Sequence, residues 1–301
     1  MSKPDKVVPE KCIGFALPPK KSQMSYIDAI VYQIGIGYGQ DPMNEAELPF
    51  VFEMSEEFRV FPTNFSISRG FELFEILVSC PGMPNFDPMR LLHGENKIDV
   101  LKEIKIDTPY LNVGEIGDVA DKGKGALVTV LIKTFEEKED GTPGDLCVVC
   151  SASLFVRGIG GFGYKGKYPQ DPIVIPKSQP TKTSSQSTSP NQALIYRLAG
   201  DRNPLHVDPN MAALAGFDKP ILHGLCTYGI SAKQIIQTFA QGDIDTLKSI
   251  RARFTSHVFP GETLDFSFWV EGNKISFEAK TRERGLVVIV GDSLVNLGPK
   301  L

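Results

Sequence analysis

Long hydrophobic runs and a strong excess of one charge are both absent from this sequence. No stretch of about 18 consecutive apolar residues occurs, so we expect no membrane-spanning helix. The N-terminal segment MSKPDKVVPEK is too polar for a secretory signal peptide. The formal net charge is only −4, from 36 acidic and 32 basic residues. Because no clustered basic surface is indicated, neither a membrane nor a nucleic acid is an expected partner.

Cysteine is also scarce. Five cysteines, an odd number, lie mostly within apolar runs, which argues against a disulfide framework. Cys147 and Cys150 have the C-x-x-C spacing of redox and zinc sites, but no second Cys/His pair lies at zinc-finger distance. We interpret both as small buried apolar side chains and expect no metal site.

The composition that remains is that of an ordinary globular protein. The chain has 301 residues, of which 42% are hydrophobic, enough for one large domain or two ordinary ones. Residues 177–192, KSQPTKTSSQSTSPNQ, are polar throughout apart from two prolines and predict a linker. We therefore expect an N-terminal repeat over residues 1–166, a linker over 167–190 and a C-terminal repeat over 191–301.

The C-terminal region predicts one long helix followed by a meander of strands. In residues 221–240 apolar side chains recur at three- and four-residue spacing, and Pro220 stands where a helix start tolerates proline. Gly272 and Asn273 fit a two-residue hairpin turn. The predicted strands are residues 249–259, 263–271, 274–283 and 286–297. A helix wrapped by an antiparallel sheet makes an α+β unit.

The N-terminal region repeats this pattern weakly, which implies a duplication. Residues 90–104 parallel the start of the long helix and predict a shorter, more charged and less buried helix. A further apolar helix is predicted over residues 25–39. The predicted strands of this region are residues 104–116, 126–137 and 145–158.

A glycine-rich turn, RGIGGFG at residues 157–163, contains the letters of the G-x-G-x-x-G motif. The dinucleotide-binding form of that motif must open a helix, whereas YKGKYPQDP follows here, so a nucleotide cofactor is not indicated. Two interpretations remain open: a plain strand-ending turn, or a turn that brings the backbone close to a ligand. For the second, Arg157 and Gly161 are candidate substrate-binding residues.

Histidine–glycine pairs occupy equivalent positions in the two repeats, His93–Gly94 and His223–Gly224. A backbone N–H in the first turn of a helix is an unpaired donor at the positive end of the helix dipole. Such a donor suits an oxyanion hole, and glycine permits close approach. Gly224, with His223 beside it, is therefore the candidate for binding a substrate oxygen.

Residues 199–210, AGDRNPLHVDPN, concentrate polar side chains between two predicted short helices, the first of which ends at Gly200. Asp201 and His206, turned inward by the loop, would form a general acid–base pair around one water. Asn203 would hold the loop or contact the ligand. The other interpretation is a turn built from turn-forming residues.

The segment YRLAGDRNPLHVDPNMAALAGFDKPILHGLCTYG, residues 196–229, closely resembles the hydratase-2 motif of the MaoC-like enoyl-CoA hydratases. The match is long and specific, with D-x-N-x-x-H followed by the G-F-x-x-P-I-L-H-G-L run. Similarity extends to the LLHGE and GGFG segments of the N-terminal half. The resemblance implies an α+β double hot-dog fold, with two repeats packed as a pseudo-dimer.

The resemblance also implies an activity: reversible, (R)-specific hydration of trans-2-enoyl-CoA to (3R)-3-hydroxyacyl-CoA in fatty-acid β-oxidation, with no metal or redox cofactor. By position, Asp201 and His206 would be the catalytic pair, Asn203 a supporting catalytic member, and the Gly224 N–H the donor to the thioester carbonyl. The first repeat, which has no D-x-N-x-x-H, would be catalytically silent and accommodate the acyl chain. The expected partners are an acyl-CoA substrate and a second copy of the chain in a homodimer.

Two rival functions stay open. A hot-dog dehydratase or thioesterase would act on acyl thioesters, and a non-catalytic acyl-CoA-binding protein would bind them without turnover. The intact Asp201, Asn203 and His206 pattern favours the hydratase. Pro299-Lys300-Leu301 resembles a peroxisomal import signal; if this ending is a chance basic tail instead, the expected location is cytoplasmic.

Overall fold

The computed structural model describes residues 3–67, 73–167 and 172–298. Its helices are α1 (Pro9–Cys12), α2 (Tyr26–Gly35), α3 (Leu48–Val51), α4 (Leu73–Ser79), α5 (Gln192–Tyr196), α6 (Pro209–Leu214) and α7 (Gly224–Ala240). Its strands are β1 (Lys20–Gln23), β2 (Leu91–Val100), β3 (Pro109–Asp121), β4 (Gly125–Glu137), β5 (Pro143–Arg157), β6 (Lys182–Ser187), β7 (Leu247–Phe254), β8 (Thr263–Glu271), β9 (Lys274–Thr281) and β10 (Val287–Val295). Within the described residues, no helix is long and apolar enough to cross a membrane. The C-terminal Pro299-Lys300-Leu301 lies outside the described residues.

The chain divides into two compact units whose bounds correct the predicted repeats. Unit 1 comprises Met1–Ser22, Ser68–Lys102 and Pro109–Pro172, and unit 2 comprises Gln23–Ile67, Glu103–Thr108 and Ile173–Leu301. The predicted repeat over residues 1–166 therefore spans parts of both units. The physical reason is that α2 and the segment after it pack against a helix of unit 2, as described below.

Unit 1 is a sheet in the order β1-β3-β4-β5-β2, covered by the short helix α4. Along β4 alternate side chains point into the core, where Val128, Val130 and Ile132 are buried. Ile76 and Leu77 of α4 join the same apolar cluster. This burial of one sheet face beneath a helix is the α+β arrangement that the sequence predicts.

The helix predicted over residues 90–104 is wrong, because this segment contains the strand β2. β2 pairs antiparallel with β5 from Leu91, opposite Val156, to Val100, opposite Val148. Pairing with β5 supplies the hydrogen bonds that the backbone N–H and C=O groups would otherwise form within a helix. This pairing outweighs the helix-like spacing of the apolar residues in the segment. The helix of unit 1 is α4, which has 7 residues, so a helix shorter than the 17-residue α7 exists but at another place.

Unit 2 is a sheet in the order β7-β10-β9-β8-β6 with α7 packed on it. The Tyr228 hydroxyl of α7 donates to the Ile250 carbonyl of β7 at 2.7 Å. The predicted two-residue turn is confirmed: Glu271 pairs with Lys274, and Gly272 between them has a φ of +60°. β8 has the bounds predicted for it.

Helix α2 covers α7 on a side that the sheet leaves open. A Cβ on Gly229 of α7 would lie 2.6 Å from both the Ile36 side chain and the Tyr32 hydroxyl, so only glycine permits this approach. All residues of α7 from Cys226 to Ile236 are buried. Cover from two sides explains why the helix is apolar or uncharged almost all round its axis.

The predicted linker over residues 167–190 contains β6, which corrects the expectation of an unstructured connection. β6 pairs antiparallel with β8, from Lys182 opposite Phe268 to Ser187 opposite Thr263. An edge strand exposes one side to water, so a Ser/Thr-rich sequence can form it without a large apolar face. Gln186 is its one buried residue, and its amide donates to the Ile36 carbonyl at 3.0 Å.

The structural interpretation of the cysteines is confirmed. All five are free thiols and all are buried. Cys147 and Cys150 lie within β5, where they fill the sheet as small apolar side chains.

Candidate active site

The loop that carries Asp201 begins with a sharp turn at Gly200. Helix α5 continues as a 3-10 turn, Arg197–Ala199, and Gly200 ends it with a φ of +145°. That conformation is essentially restricted to glycine, and a Cβ there would also lie 2.8 Å from the Ile67 side chain. The turn stops the helix and starts the loop at Asp201.

Asn203 organises the loop. Its side-chain carbonyl accepts a hydrogen bond from the Leu205 N–H at 3.0 Å, which caps the 3-10 turn Pro204–His206. Its own N–H donates to Oδ1 of Asp201 at 3.2 Å. Asn203 therefore joins Asp201 to the turn that carries His206.

His206 is buried and has a defined tautomer. Its Nδ1 lies 2.8 Å from the Ile221 carbonyl oxygen, and since a carbonyl only accepts, Nδ1 carries the hydrogen and Nε2 is a bare acceptor. Burial lowers the pKa of this imidazole, while the bond to Ile221 and the charge of Asp201 oppose that shift. The neutral ring is therefore favoured at physiological pH, ready to accept a proton at Nε2.

His223 packs directly against this residue. The two imidazole rings are stacked, with centroids 3.7 Å apart and planes 26° apart. His223 is 1% exposed, and its Nε2 lies 3.1 Å from the Asp201 carbonyl oxygen. Burial, with the neighbouring His206 second, lowers the pKa of His223 to about 3. The sequence proposed His223 as a substrate-binding residue, whereas its nitrogen faces the Asp201 backbone.

Side-chain atoms of Asp201, His206 and His223 lie within 4.8 Å of one another. A carboxylate and a neutral imidazole at this separation are suited to hold one water between them. The same three residue types also bind metals, but imidazole lone pairs lie in the ring plane. Two stacked rings direct those lone pairs side by side, which is a poor arrangement for binding one ion.

The first residue of α7 supplies a backbone donor. Gly224 begins the helix, and the N–H groups of Cys226 and Thr227 already bond to the His223 carbonyl. Among the described residues the Gly224 N–H forms no hydrogen bond. Gly224 is exposed, so a ligand can reach this donor at the positive end of a 17-residue helix.

Arg157 and Gly161, the other candidate substrate-binding residues, belong to unit 1 rather than to unit 2. The Gly161 N–H donates to Oδ1 of Asp121 at 3.1 Å, and the Gly163 N–H donates to Oδ2 of the same carboxylate at 2.6 Å. These bonds, strongest from Gly163, lower the pKa of Asp121 to about 2. The backbone N–H groups of Gly161 and Gly163 in the glycine-rich turn thus bond to Asp121. No helix follows this turn up to residue 167. These contacts favour the interpretation of a strand-ending turn.

Comparison with known proteins gives two family matches along the chain. Residues 23–158 match the MFE-2 hydratase 2 N-terminal domain, and residues 173–291 match the MaoC like domain. The probable enoyl-CoA hydratase 2 of Dictyostelium discoideum is 40% identical over 93% of this chain and 93% of its own length. The peroxisomal enoyl-CoA hydratase 2 of Arabidopsis thaliana is 38% identical over 93% of this chain and 92% of its own length. The chain belongs to the MaoC-like enoyl-CoA hydratase 2 family.

Longer and solved relatives agree with this family. The peroxisomal multifunctional enzyme type 2 of Mus musculus is 36% identical over 95% of this chain, which spans 38% of that protein. The crystal structure of a MaoC-like dehydratase from Phytophthora capsici superposes with a TM-score of 0.80 at 33% identity, covering 94% of this chain and 96% of that one. A Mycobacterium tuberculosis protein described as a double hot-dog fold has a TM-score of 0.51 at 12% identity, covering 94% of this chain and 96% of that one. The predicted α+β double hot-dog fold is confirmed.

Sequence reasoning missed three contacts around the site of this hydratase 2 family member. The Ile221 carbonyl that fixes His206 is a backbone group, which no residue type reveals. The Tyr196 ring lies 4.9 Å from the His223 ring, and the Phe254 ring would lie 3.2 Å from a Cβ on Gly224. Tyr196 stands inside the motif quoted above, so its place there was the available signal.

Proposed function

We propose that this chain is an enoyl-CoA hydratase 2, which adds water reversibly to trans-2-enoyl-CoA and yields (3R)-3-hydroxyacyl-CoA in fatty-acid β-oxidation. One observation carries the proposal: side-chain atoms of Asp201, His206 and His223 lie within 4.8 Å of one another. His223 directly precedes Gly224, whose N–H at the start of α7 is free to bind a ligand. Relatives named enoyl-CoA hydratase 2 cover nearly the whole chain and support the same reaction.

The reaction needs a donor and a proton-transfer group. When the oxygen of water bonds to C3 of the conjugated thioester, the C2–C3 π electrons move toward the carbonyl and negative charge collects on its oxygen. The Gly224 N–H, reinforced by the helix dipole, stabilises that enolate. No redox change occurs, so the chemistry itself calls for no cofactor.

Asp201 and His206 manage the protons. The unprotonated Nε2 of His206 accepts a proton from the water. The second O–H of the same water donates a hydrogen bond to the Asp201 carboxylate. The Nδ1–H bond to the Ile221 carbonyl stabilises the imidazolium that forms. A proton then returns from this pair to C2 of the enolate, so that the net change is addition of OH to C3 and H to C2. Unit 1, which has no matching motif, is catalytically silent.

The proposal is tested with the purified protein and trans-2-decenoyl-CoA, with chiral chromatography of the product. We expect loss of the conjugated double bond and formation of the (3R)-3-hydroxy product alone. Release of free CoA from decanoyl-CoA would indicate a thioesterase instead. Saturable binding of decenoyl-CoA without any product would indicate a non-catalytic binding protein. Either result would overturn the proposal.

We also propose a peroxisomal location and a homodimeric state. The names of the Arabidopsis and mouse relatives support the location. The dimer is supported by exposed apolar side chains on the packed helices α2 and α5 and the turn after them, namely Ile34, Leu194 and Leu198. An N-terminal fluorescent fusion that co-localises with a peroxisomal marker, and a light-scattering mass of two chains, are the expected results. A diffuse signal or a one-chain mass would contradict the respective proposal.

A further inference from the structure

His223 has no step in the proposed reaction, yet it contacts both Asp201 and His206 and directly precedes Gly224. It is the residue before Gly224 and the cap position of α7. Its ring is stacked on His206, and its Nε2 faces the backbone of Asp201. One buried side chain thus joins the acid–base pair to the helix end that carries the donor.

The contact with Asp201 has only one possible polarity. The Asp201 carbonyl accepts, so Nε2 of His223 carries the hydrogen and donates over 3.1 Å. Nδ1 is then a bare, buried nitrogen with no hydrogen-bond partner among the described residues. The donated bond fixes the backbone of Asp201, and therefore the point from which its carboxylate extends.

The stacking contact fixes His206. With ring centroids 3.7 Å apart, His223 covers one face of the His206 imidazole and excludes water from it. Since burial is the main cause of the lowered pKa of His206, removal of this cover would hydrate the ring and raise its pKa toward the usual value of about 6.5.

His223 is held neutral by its surroundings. The groups that face it are the ring of Tyr196, the imidazole of His206, the carboxylate of Asp201 and the guanidinium of Arg197. Burial together with His206 and Arg197 outweighs the attraction of Asp201, and the pKa falls to about 3. A neutral His223 can stack on His206 when that ring becomes positive during turnover, whereas a charged one would repel it.

We propose that His223 is a positioning residue that fixes Asp201 and His206 relative to the Gly224 N–H, a role that rests on the proposed hydratase function. It acts through its Nε2–H bond and through its ring face, and it does not contact the reacting atoms. The two contacts are separable by substitution, because each can be kept while the other is removed.

Two variants separate them. His223→Gln keeps an amide donor near the Nε2 position but has no ring, and His223→Phe keeps a ring but has no donor. We expect both to lower kcat for decenoyl-CoA hydration about 10- to 100-fold, as small displacements of catalytic groups do, with KM within about 3-fold of wild type. His223→Gln should also move the acidic limb of the pH–kcat/KM profile upward, while His223→Phe leaves it in place.

The matched control is His93→Gln, which changes the histidine of the corresponding Leu-His-Gly triplet in unit 1. It should leave kcat, KM and the pH profile unchanged. The proposal is overturned if either His223 variant keeps wild-type kcat, if the loss appears in KM alone, or if the acidic limb does not move in His223→Gln. A wild-type protein that hydrates no enoyl-CoA would instead refute the proposed function.

A measurement on the wild-type protein keeps the proposal testable even if the His223 variants fail to fold. With only four histidines in the chain, nitrogen-15 NMR of the labelled full-length protein resolves each ring, assigned through single substitutions. We expect His223 to carry its hydrogen on Nε2 and not to titrate between about pH 5 and 8. A hydrogen on Nδ1, or titration in that range, would overturn the positioning role without reference to activity.

Discussion

The same three residues, Leu-His-Gly, occur at 92–94 in unit 1 and at 222–224 in unit 2, with opposite outcomes. In unit 1 the triplet lies in β2, where Leu92 pairs with Phe155, His93 with Leu154, and the register shifts at Gly94. In unit 2 the triplet ends a loop and starts α7, so the Gly224 N–H stays unpaired. A strand uses its amides on its neighbours, whereas a helix start leaves them available to a ligand. The motif therefore gains a role only from its backbone setting.

The largest expected effect comes from His206, which has no counterpart in unit 1. His206→Gln removes the base at Nε2 and should lower kcat/KM for decenoyl-CoA about 10²- to 10⁴-fold, the usual range for a general acid or base. The comparison change in unit 1, His93→Gln, should stay within about 2-fold of wild type. Steady-state kinetics with circular dichroism as a folding check measures both. Equal losses in the two variants would show that the units are not functionally distinct.

The next effect isolates the Gly224 N–H. Gly224→Pro deletes the hydrogen, and proline is tolerated both at the first position of a helix and after His223, whose ψ of 134° suits a residue before proline. Gly224→Ala is the matched control, because it adds the same Cβ contact at 3.2 Å from Phe254 but keeps the N–H. We expect the proline variant to have a kcat about 10²- to 10³-fold below that of the alanine variant. Equal kcat values for the proline and alanine variants would show that the Gly224 N–H does not stabilise the oxyanion.

The corresponding unit 1 change sharpens that comparison. A Cβ on Gly94 would lie 3.5 Å from the Ser153 carbonyl, an ordinary contact, so Gly94→Ala should fold and turn over substrate as the wild type does. A loss comparable to that of Gly224→Pro would assign the N-terminal triplet a function that β2 does not explain.

A third difference appears in the pH dependence of stability. The pKa values of His206 and His223 are lowered in the folded protein, so below the unfolded value of about 6.5 the unfolded chain binds protons that the folded chain does not. The free energy of unfolding should therefore fall as the pH drops below about 6.5, by up to about 1.4 kcal/mol per pH unit for each histidine, until about pH 3 for His223.

Urea denaturation at about pH 7.5 and 5.5 measures this dependence. His223→Gln should lose less stability across that interval than the wild type, because one of the two neutral buried imidazoles is gone. An identical loss in the two proteins would show that His223 is not held neutral by the fold.

The smallest expected effect is on stability, and it concerns the contact between β6, the edge strand of unit 2, and helix α7. Gln186 of β6 accepts a hydrogen bond from Gln234 of α7 at 2.9 Å and is buried. Gln186→Ala leaves one N–H of the Gln234 amide without its partner, although that amide also donates to Gln237 at 3.4 Å, and should cost about 1–3 kcal/mol of stability. The exposed neighbour Thr183→Ala is the control and should stay within about 0.5 kcal/mol. Equal urea midpoints for the two variants would mean that β6 acts as a linker after all.

Much of unit 2 follows from its sequence because its signals are local. The alternation in residues 263–271 and the Gly272–Asn273 turn fix β8 and its hairpin, and the turn formers near Gly200 indicate the loop that carries Asp201 and His206. What the sequence could not provide depends on distant partners. β2 is a strand because β5 pairs with it, and β6 forms against β8 although its residues are polar.

The site shows the same limit. The loop predicts that Asp201 and His206 lie near one another, but the tautomer of His206 depends on the Ile221 carbonyl, a backbone group fifteen residues away in the chain. Likewise, the Leu222 N–H donates to the distant Val258 carbonyl at 2.7 Å, and α7 starts at Gly224 instead of at Ile221, where the sequence predicts its start. Such contacts are consequences of the assembled unit.

The most direct test of the central claim, that this loop catalyses hydration, compares two aspartates in it. Asp201→Asn removes the carboxylate beside His206, whereas Asp208→Asn changes a helix cap that asparagine fills equally well. We predict that Asp201→Asn lowers kcat/KM for trans-2-decenoyl-CoA by about 10²- to 10³-fold while Asp208→Asn remains within about 3-fold of wild type. Retained (3R)-3-hydroxydecanoyl-CoA formation by a folded Asp201→Asn protein would contradict the account.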